Sequence, residues 1–386
     1  LIAVTTNDEV NMIACLIASI QSKVVTKIAR IRNLEYLEVP QMLDKQHLGV
    51  DLHINPELEA AESIARILEV PAAHQIIEFA EGRVKLVGLH IARESSITGV
   101  ELQYLSALQP TRGILIAAIQ RKGELLIPHG YDKIEVGDLV WFICQSEDVN
   151  NALQAFGVTA HSARKVLIYG GSKVGYFLAR RIENEVSVLK LVEPDSARCE
   201  QLSQELSRTL ILNGEATDQR LLEEEDVGDM DVLVAVTDDD EDNVLAALLA
   251  KRIGVPRVVT LIKKSGYLPV LQAIGVDNVV STRIAAVNKI LQFIRKGAVL
   301  SATTLGETDA EAIEFEALAT SDVVGKTLAE LKFPKESIVG AILRNDEVII
   351  PGGATRIMEK DRVIMLARKS SLTRLERMFS VKLEYF

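Results

Sequence analysis

The sequence has few of the residues on which disulfide-linked and metal-binding proteins depend. Only three cysteines occur in 386 residues, Cys15, Cys144 and Cys199, and they are widely separated. This odd, scattered set gives no disulfide framework and is typical of a reducing compartment, so we expect a cytoplasmic protein. The histidines have no metal-ligand spacing to one another or to cysteine; we interpret them as structural or surface residues and predict no metal site. They are His47, His53, His74, His90, His129 and His161.

The sequence also lacks a surplus of basic residues and any long apolar run. Lys and Arg number 43 against 54 Asp and Glu, which gives a formal net charge of −11. Such a charge disfavours binding to nucleic acid or to an anionic membrane face. Near the start, the longest uncharged stretch runs from Val10 to Ser22 and is too short to span a bilayer. No Ser-His-Asp arrangement or catalytic cysteine signature is visible, so no catalytic residue is predicted.

Apolar residues, by contrast, are abundant, at 48% of the chain. With this length they predict two to four domains with substantial cores. The most informative stretch runs from Lys165 to Glu193. It contains an apolar run of the kind that forms a buried parallel strand, a pair of glycines, apolar residues at helical spacing, a second apolar run and then an acid. This is the order of strand, glycine turn, helix, strand and carboxylate that a dinucleotide site requires.

The glycine turn has a chemical purpose in such a site. A phosphate can approach the backbone only where no Cβ intervenes, and the N–H groups that begin the next helix then bind the anion. A carboxylate at the end of the second strand accepts hydrogen bonds from ribose hydroxyls and repels a 2′-phosphate, which favours NAD or an adenine nucleotide over NADP. Ser172 replaces the middle glycine of the usual motif. The predicted contacts are Gly170, Gly171, Ser172, Lys173, Val174, Gly175 and Glu193.

An internal duplication organises the rest of the chain. Leu1–Asn11 matches Leu233–Asn243 without a gap, and apolar helical segments follow both. Two further matches extend the sequence similarity between the two modules. They pair Val24–Thr26 with Val258–Thr260, and Gly49–Asp51 with Gly275–Asp277.

The segments that follow each large module also match each other. Each predicts a hairpin around a polar turn, then a closing strand and a helix, which together form a small α+β lobe. The paired segments are Ile97–Leu102 with Val323–Leu328, and Ala118–Pro128 with Ala341–Pro351. The predicted domains are 1–73, the second half of a Rossmann-like module; 74–160, a small lobe; 161–296, a complete Rossmann-like module; and 297–386, the second small lobe.

The predicted fold class is therefore α/β, with doubly wound Rossmann-like parallel sheets that are each followed by a small α+β lobe. The first large module lacks the part that carries a glycine turn and an acid in the second. Leu1 is not an initiator methionine and opens an apolar run, so we expect about 70 further residues before it, by comparison with the second module.

Two polar groups near strand ends are further candidates. Thr237 and Asp238 follow a predicted strand at the edge where parallel sheets bind ligands, so they are expected to contact a ribose. The acidic run Asp238–Asp242 admits a cation site, but acids at the start of a helix stabilise its dipole, and we favour that interpretation. Arg30 and Arg32 end another strand and suit phosphate binding, although surface ion pairs are the alternative. Lys263 and Lys264 hold a comparable place in the second module.

These segments together resemble one known family, the NAD-binding regulatory subunits of Trk potassium-uptake systems, which contain two tandem RCK domains. The resemblance covers essentially the whole chain. It rests on GGSKVG with Glu193, on the paired segments AVTTNDEVN and AVTDDDEDN, on residues 28–37 and on the duplicated lobes.

The resemblance implies a function and a set of partners. It implies a cytoplasmic gating ring, a homotetramer, that docks on a membrane-embedded, TrkH-like K⁺ channel subunit and responds to NAD(H), ATP or ADP. The family's nucleotide contacts carry over to Thr5, Thr6 and Arg30 in the first module, and to Gly170–Gly175 and Glu193 in the second.

An NAD-dependent dehydrogenase is the alternative function. A dehydrogenase requires a substrate domain that supplies an acid or base beside the nicotinamide. The other domains are repeats of each other, and only His161 lies near the complete nucleotide module. The sequence therefore favours a sensor that is not an enzyme.

Overall fold

The computed structural model describes residues 1–21, 24–36, 39–44, 47–70, 73–93, 95–105, 113–158, 162–215, 218–276, 278–294, 299–305 and 308–380. The chain forms two compact units, each joining two separate segments. They are Leu1–Pro71 with Ser162–Ile290, and Ala72–His161 with Leu291–Phe386. The predicted boundaries at 160/161 and 296/297 fall outside the described residues, so the four-part division stays a prediction. Within the described ranges, no helix is both long enough and apolar enough to cross a membrane.

The first segment forms a parallel three-stranded sheet in the order β1-β2-β3. Its elements are β1 Ile2–Ala3, α1 Asp8–Gln21, β2 Ile28–Arg30, α2 Pro40–Leu43, β3 Leu52–Ile54 and α3 Pro56–Glu69. Helix α3 begins where Pro56 follows Asn55, whose side chain accepts a hydrogen bond from the N–H of Leu58. This arrangement combines an N-cap with a proline at the first helical position.

The predicted alignment of Val24–Thr26 with Val258–Thr260 is wrong by three residues. Strand β2 starts at Ile28, and Ala3 pairs with Ala29 as Ala235 pairs with Thr260 in the second module. The counterpart of Val258–Thr260 is therefore 27–29. Val24 and Val25 are exposed. A match of three residues is too short to fix which residues of the two modules correspond.

The first small lobe contains a five-stranded antiparallel sheet in the order β4-β5-β8-β6-β7. Its elements are β4 Gln75–Phe79, β5 Val84–His90, α4 Leu102–Leu105, β6 Leu115–Arg121, β7 Glu124–Leu126, β8 Leu139–Gln145 and α5 Val149–Ala155. The hairpin, closing strand and helix were predicted. The preceding pair, β4 and β5, was not.

The second large module is a six-stranded parallel sheet, and this confirms the predicted doubly wound fold. Its strand order is β11-β10-β9-β12-β13-β14, so the chain reverses direction across the sheet between β9 and β12. Ligands bind at such a reversal, outside the carboxyl ends of the strands. The elements are β9 Lys165–Tyr169, α6 Lys173–Ile182, β10 Val188–Glu193, α7 Ser196–Glu205, β11 Leu210–Asn213, α8 Gln219–Glu224, β12 Val232–Ala235, α9 Asp240–Ile253, β13 Arg257–Leu261, α10 Leu268–Ala273, β14 Asn278–Val280 and α11 Thr282–Ile294.

The second lobe repeats the strand order of the first. Its sheet runs β15-β16-β19-β17-β18 and is antiparallel throughout. The elements are β15 Val299–Thr304, β16 Ala310–Glu316, β17 Ser337–Arg344, β18 Glu347–Ile349, β19 Arg362–Arg368 and α12 Lys369–Phe379.

Each compact unit has a core that both of its segments share. In the first unit, Ile64 and Leu68 of α3 belong to the same buried cluster as Leu178 and Ile182 of α6. The helix that begins at the glycine turn therefore packs on the last helix of the first module. In the second unit, buried residues of both lobes form one cluster as well.

Candidate functional site

The glycine turn between β9 and α6 is closed to a side chain by backbone atoms at Gly170 and Gly175, and by neighbouring side chains at Gly171. Gly170 has φ +107°, and a Cβ there would lie 2.7 Å from the backbone nitrogen of Thr237. A Cβ on Gly171 would lie 2.9 Å from a carboxylate oxygen of Glu193. On Gly175 it would lie 2.0 Å from the carbonyl oxygen of Gly170. The turn is therefore a bare backbone surface next to the end of β12.

Ser172, which occupies the place of a glycine, has a structural function in this turn. Its side chain caps α6 by accepting a hydrogen bond from the N–H of Gly175 at 3.3 Å. The hydroxyl also donates to the carbonyl of Val236 at 2.5 Å. Because the cap uses the third N–H of the helix, the N–H groups of Lys173 and Val174 remain to bind an anion.

Glu193, the last residue of β10, lies directly beside the turn. One carboxylate oxygen accepts from the N–H of Gly171 at 2.6 Å, and the other accepts from the N–H of Asp195 at 3.0 Å. The side chain is half-buried. The carboxylate therefore connects the glycine turn to the start of α7, at the sheet edge where a ribose binds in such folds.

Arg198 is a site residue that sequence reasoning missed. Its Nε donates to the carbonyl of Gly171 at 2.8 Å, and its guanidinium lies 5.9 Å from the ring centre of Tyr176. Arg198 thereby binds the carbonyl of the same residue whose N–H donates to Glu193. The available signal was a lone arginine in the first turn of the helix after Glu193, which is weak without the fold.

Asn243 was also missed, and it fixes the position of Thr237. Its side-chain oxygen accepts from the N–H and hydroxyl of Thr237 at 2.8 and 2.9 Å. Its amide nitrogen donates to the carbonyls of Thr237 and Leu261 at 3.2 and 3.0 Å. This fully buried amide therefore holds together the carboxyl ends of β12 and β13. Asp238, by contrast, is exposed at the rim.

The first module repeats this arrangement with Asn11. Its oxygen accepts from the N–H and hydroxyl of Thr5, both at 2.8 Å. Its nitrogen donates to the carbonyls of Thr5 and Arg30 at 3.1 and 2.9 Å. Thr6, the neighbouring candidate, is exposed. The recurrence of asparagine at the end of both matched segments was the signal that could have identified these two residues.

Two acids at the start of α9 accept hydrogen bonds from backbone N–H groups. Asp239 caps the helix and accepts from the N–H groups of Glu241 and Asp242. The buried Asp240 accepts from the N–H groups of Lys263 and Lys264, at 2.8 to 3.1 Å. These bonds are those expected of acids at a helix start and strand end.

Asp8 has the same function in the first module, because it accepts from the N–H groups of Arg32 and Asn33 at 2.7 and 2.9 Å. Lys263 is thus the structural counterpart of Arg32. Its ammonium donates to the carbonyl and carboxylate of Asp238 at 2.6 and 3.1 Å.

Matched tyrosine–glutamate pairs lie at the rim of both modules. Tyr36 donates to Glu9 at 2.5 Å, and Tyr267 donates to Glu241. The hydrogen bond from Tyr267 is the main cause that lowers the pKa of Glu241 to about 2, and the bond from Tyr36 lowers the pKa of Glu9 in the same direction. Both acids are therefore ionised at neutral pH.

Arg30 and Arg32 differ in their surroundings. Arg32 forms an ion pair with Glu57 of α3, although its Nε is buried without a hydrogen-bond partner among the described residues. Arg30 has Nε and Nη2 shut off from solvent and without a hydrogen-bond partner among the residues that the structure describes. The carbonyl of Arg32 accepts from the ammonium of Lys173, at 3.5 Å, so the glycine turn of the second module reaches the arginine segment of the first.

Comparison with solved structures supports the fold. The structure superposes on the GsuK RCK domain with a TM-score of 0.56 at 18% sequence identity, covering 98% of this chain and 80% of that one. It superposes on the GsuK channel bound to NAD with a TM-score of 0.55 at 17% identity, covering 98% of this chain and 66% of that one. At this identity the likeness concerns the fold alone.

Sequence comparison gives closer relatives. The Trk system potassium uptake protein TrkA of Azorhizobium caulinodans is 35% identical over 100% of this chain and 85% of the relative's length. The Trk system potassium uptake protein TrkA homolog 2 of Methanosarcina mazei is 37% identical over 98% of this chain and 85% of its own length. The TrkA-N domain model matches residues 166–282, and the TrkA-C domain model matches 91–157 and 312–380. The chain therefore belongs to the family of Trk system potassium uptake proteins TrkA.

Proposed function

We propose that the chain is a nucleotide-sensing regulatory subunit of a Trk-type potassium uptake system and is not an enzyme. The observation that carries this proposal is the bare glycine turn of the second module, with the carboxylate of Glu193 directly beside it. Membership of the TrkA family supports the link to potassium uptake. We place the protein in the cytoplasm, at the inner face of the membrane.

The ligand of the second module is NAD(H) in this proposal. The turn fits a pyrophosphate, because backbone atoms leave no space for a Cβ on Gly170 or Gly175 and α6 begins there. Glu193 would accept hydrogen bonds from the adenosine ribose, and Thr237 and Asp238 form the opposite edge of the crevice. The fold shared with a channel that was solved bound to NAD supports this choice.

The first module takes ATP or ADP in the same proposal. Arg30 has buried guanidinium nitrogens without a partner in the described part of the chain, and a phosphate would satisfy them. Arg32 is held by Glu57 and lies two residues further on. Thr5 and Thr6 follow β1 at the same sheet edge.

Nucleotides act through assembly geometry in this proposal. Four chains form a ring that docks on a membrane-embedded K⁺ transporter or channel subunit, of the kind called TrkH. A ligand shifts such a ring only by its differential affinity for two ring shapes. A tenfold preference at each of four equivalent sites supplies roughly 5.5 kcal/mol, which moves an equilibrium from about 1:99 to 99:1.

Replacing Glu193 tests the nucleotide site. Glu193→Gln keeps an oxygen that can accept from Gly171 but removes the charge that favours a ribose contact. We expect NADH binding, measured by calorimetry on the full chain, to weaken by about 1.5 to 3 kcal/mol, the scale of a hydrogen bond to a charged group. Glu200→Ala is the matched control, because Glu200 is an exposed acid on α7.

Two results would contradict the proposal. Unchanged NADH affinity in Glu193→Gln would remove the ribose assignment. Steady oxidation of NADH with candidate carbonyl substrates, followed by its absorbance, would support the dehydrogenase alternative instead of a sensor.

A further inference from the structure

The two small lobes pack on each other through the faces of their sheets. Buried residues of both lobes form one cluster, and both lobes belong to the same compact unit. The two sheets have the same strand order, so the strand residues of one lobe have counterparts in the other. A pair of like lobes from two copies of the chain would bring the same positions together, with the residues of one side replaced by their counterparts. The interface therefore shows which pairs of lobes fit.

Gly340 of the second lobe lies against Ile143 of the first. A Cβ on Gly340 would lie 2.0 Å from Cδ1 of Ile143, which is fully buried and would have to shift within the shared cluster. The counterpart of Gly340 is Ala117, because both residues lie where the pairing with β19 or β8 shifts register. Alanine therefore suits the backbone at this position, and Ile143 is what excludes it. Two first lobes would set Ile143 against Ala117 in both directions and meet this obstruction twice.

An arginine of the second lobe binds acids of both lobes. Nε of Arg362 donates to the buried Glu314 at 2.5 Å, and Nη1 donates to Glu81 of the first lobe at 2.9 Å. The strand pairing gives the counterparts of Glu314 and Arg362 in the first lobe, which are Gly88 and Leu139. Two first lobes would thus leave Glu81 without this cation. Because the Glu81 side chain is 78% exposed, this loss is small compared with the steric obstruction.

An ion pair has the corresponding effect on two second lobes. Arg83 of the first lobe forms an ion pair with Asp346 of the second. The counterpart of Arg83 is Asp309, since each directly precedes the strand that pairs with the end of β8 or β19. Two second lobes would therefore set Asp309 against Asp346 and replace an attraction with a repulsion. Arg368 lies 3.4 Å from Asp309 within the second lobe and offsets part of this repulsion.

We propose that each lobe selects the other kind of lobe as its partner and disfavours its own kind. A pair of first lobes is disfavoured by Ile143 against Ala117, and a pair of second lobes by Asp309 against Asp346. The partner of each lobe is the unlike lobe of the same chain, which the chain holds close by at a high effective concentration. Copies of the chain have to associate through other surfaces. This inference goes beyond the proposed function and is independent of the nucleotide that binds.

Replacing a residue by its counterpart creates a like contact within the full chain. Gly340→Ala reproduces the contact of two first lobes. We expect the β8 and β17 amides to exchange hydrogen about tenfold faster or more, because overpacking weakens the packing of these strands. Ile143→Val removes Cδ1 and should return the Gly340→Ala chain to within about threefold of the unmodified exchange rates. In the unmodified chain the same valine deletes a packed methyl group and should itself speed exchange.

Arg83→Asp reproduces the contact of two second lobes. We expect hydrogen exchange to be about two- to fivefold faster at low salt, the scale of an exposed ion pair, and the effect to shrink at high salt. Asp346→Arg in the same chain restores an attraction and should return exchange to the unmodified rates. Val136→Glu is the control, because it also introduces the counterpart, Glu359, but at an exposed position, and no change is expected.

Cross-linking of the full chain tests pairing between copies. In a Cys199→Ser background, the chain with Arg83→Cys and Asp346→Cys should be cross-linked within itself by a short bismaleimide. The counterpart of Asp346 is Gly123, in the turn between β6 and β7. Within one lobe, Arg83 and Gly123 lie at opposite ends of the seven-residue strand β8, roughly 20 Å apart. Only a pair of first lobes would bring them together, so Arg83→Cys with Gly123→Cys should give no cross-linked dimer.

Several results would overturn this inference. Unchanged exchange in Gly340→Ala, or failure of Ile143→Val to restore it, would show that the contact does not discriminate between lobes. A cross-linked dimer from Arg83→Cys with Gly123→Cys would show that first lobes do pair with each other. A dimer from Arg83→Cys with Asp346→Cys would place the unlike partner in a second copy instead of the same chain. All of these outcomes leave the NADH titrations, and with them the proposed function, untouched.

Discussion

The substitution Gly175→Ala isolates the steric requirement of the glycine turn. Gly175 has helical backbone angles within α6, so alanine introduces no backbone strain and even improves helix propensity by about 1 kcal/mol. Its Cβ, however, would lie 2.0 Å from the carbonyl oxygen of Gly170. Because that oxygen is backbone, the helix and the turn must separate by at least about 1 Å. Forced separations of packed elements cost about 1 to 3 kcal/mol or more.

We therefore expect a net loss of about 1 kcal/mol, the separation cost less the gain in helix propensity, and a loss of NADH binding. The matched control is Gly254→Ala, at the C-terminal cap of α9. Gly254 has φ +100°, and a Cβ there meets nothing within 4 Å. Alanine in this conformation costs about 1 to 2 kcal/mol, through the backbone alone. The two variants should thus be destabilised similarly, while only Gly175→Ala displaces the nucleotide site.

Hydrogen exchange of the β9 and α6 amides measures the local loss of stability. Calorimetry measures the affinity of the chain for NADH. Gly254→Ala should bind NADH like the unmodified chain. The reasoning is refuted if Gly175→Ala binds NADH equally well, because the close approach of helix and turn would then have no part in binding.

Two further predictions concern buried groups. Asn243→Ala should lower the free energy of unfolding by about 2 to 4 kcal/mol, measured with urea, because it leaves the N–H of Thr237 and the carbonyl of Leu261 without their partner; a change below about 0.5 kcal/mol would contradict this. Burial raises the pKa of the Cys144 thiol to about 12, so at pH 8 iodoacetamide should label the half-buried Cys199 well before Cys144 in the native protein. Equal labelling rates would contradict the structure.

The sequence predicted those parts of the fold that have a strong local pattern. The apolar strand before Gly170, the helical spacing after it and the acid at Glu193 are all local signals, and the duplication supported them. The structure confirms the resulting doubly wound sheet. Residues whose function depends on a distant backbone group were not predictable in this way. Arg198 contacts Gly171 across 27 positions, and nothing near it in the sequence indicates that contact.

Strands β15 and β16 of the second lobe, like β4 and β5 of the first, were not predicted, and the sequence of β16 shows a physical reason. Strand β16 reads AEAIEFE, in which Glu311 and Glu314 suggest an exposed or helical segment. Both glutamates are in fact buried, because β16 is covered on both faces. Arg362 compensates Glu314 through a hydrogen bond of 2.5 Å. A buried acid is tolerated only with such a partner, and the partner lies 48 positions away along the chain.

The two large modules are alike in their framework and differ where a ligand would make contact. Thr5 and Asn11 form the same hydrogen bonds as Thr237 and Asn243. In both modules the asparagine nitrogen donates to the last residue of the next strand, which is Arg30 in the first and Leu261 in the second. Leu261 is buried in the apolar core, whereas Arg30 has buried charged nitrogens without a partner in the described chain. A shared framework with a cation in one module and a leucine in the other agrees with the proposal that the two crevices take different nucleotides.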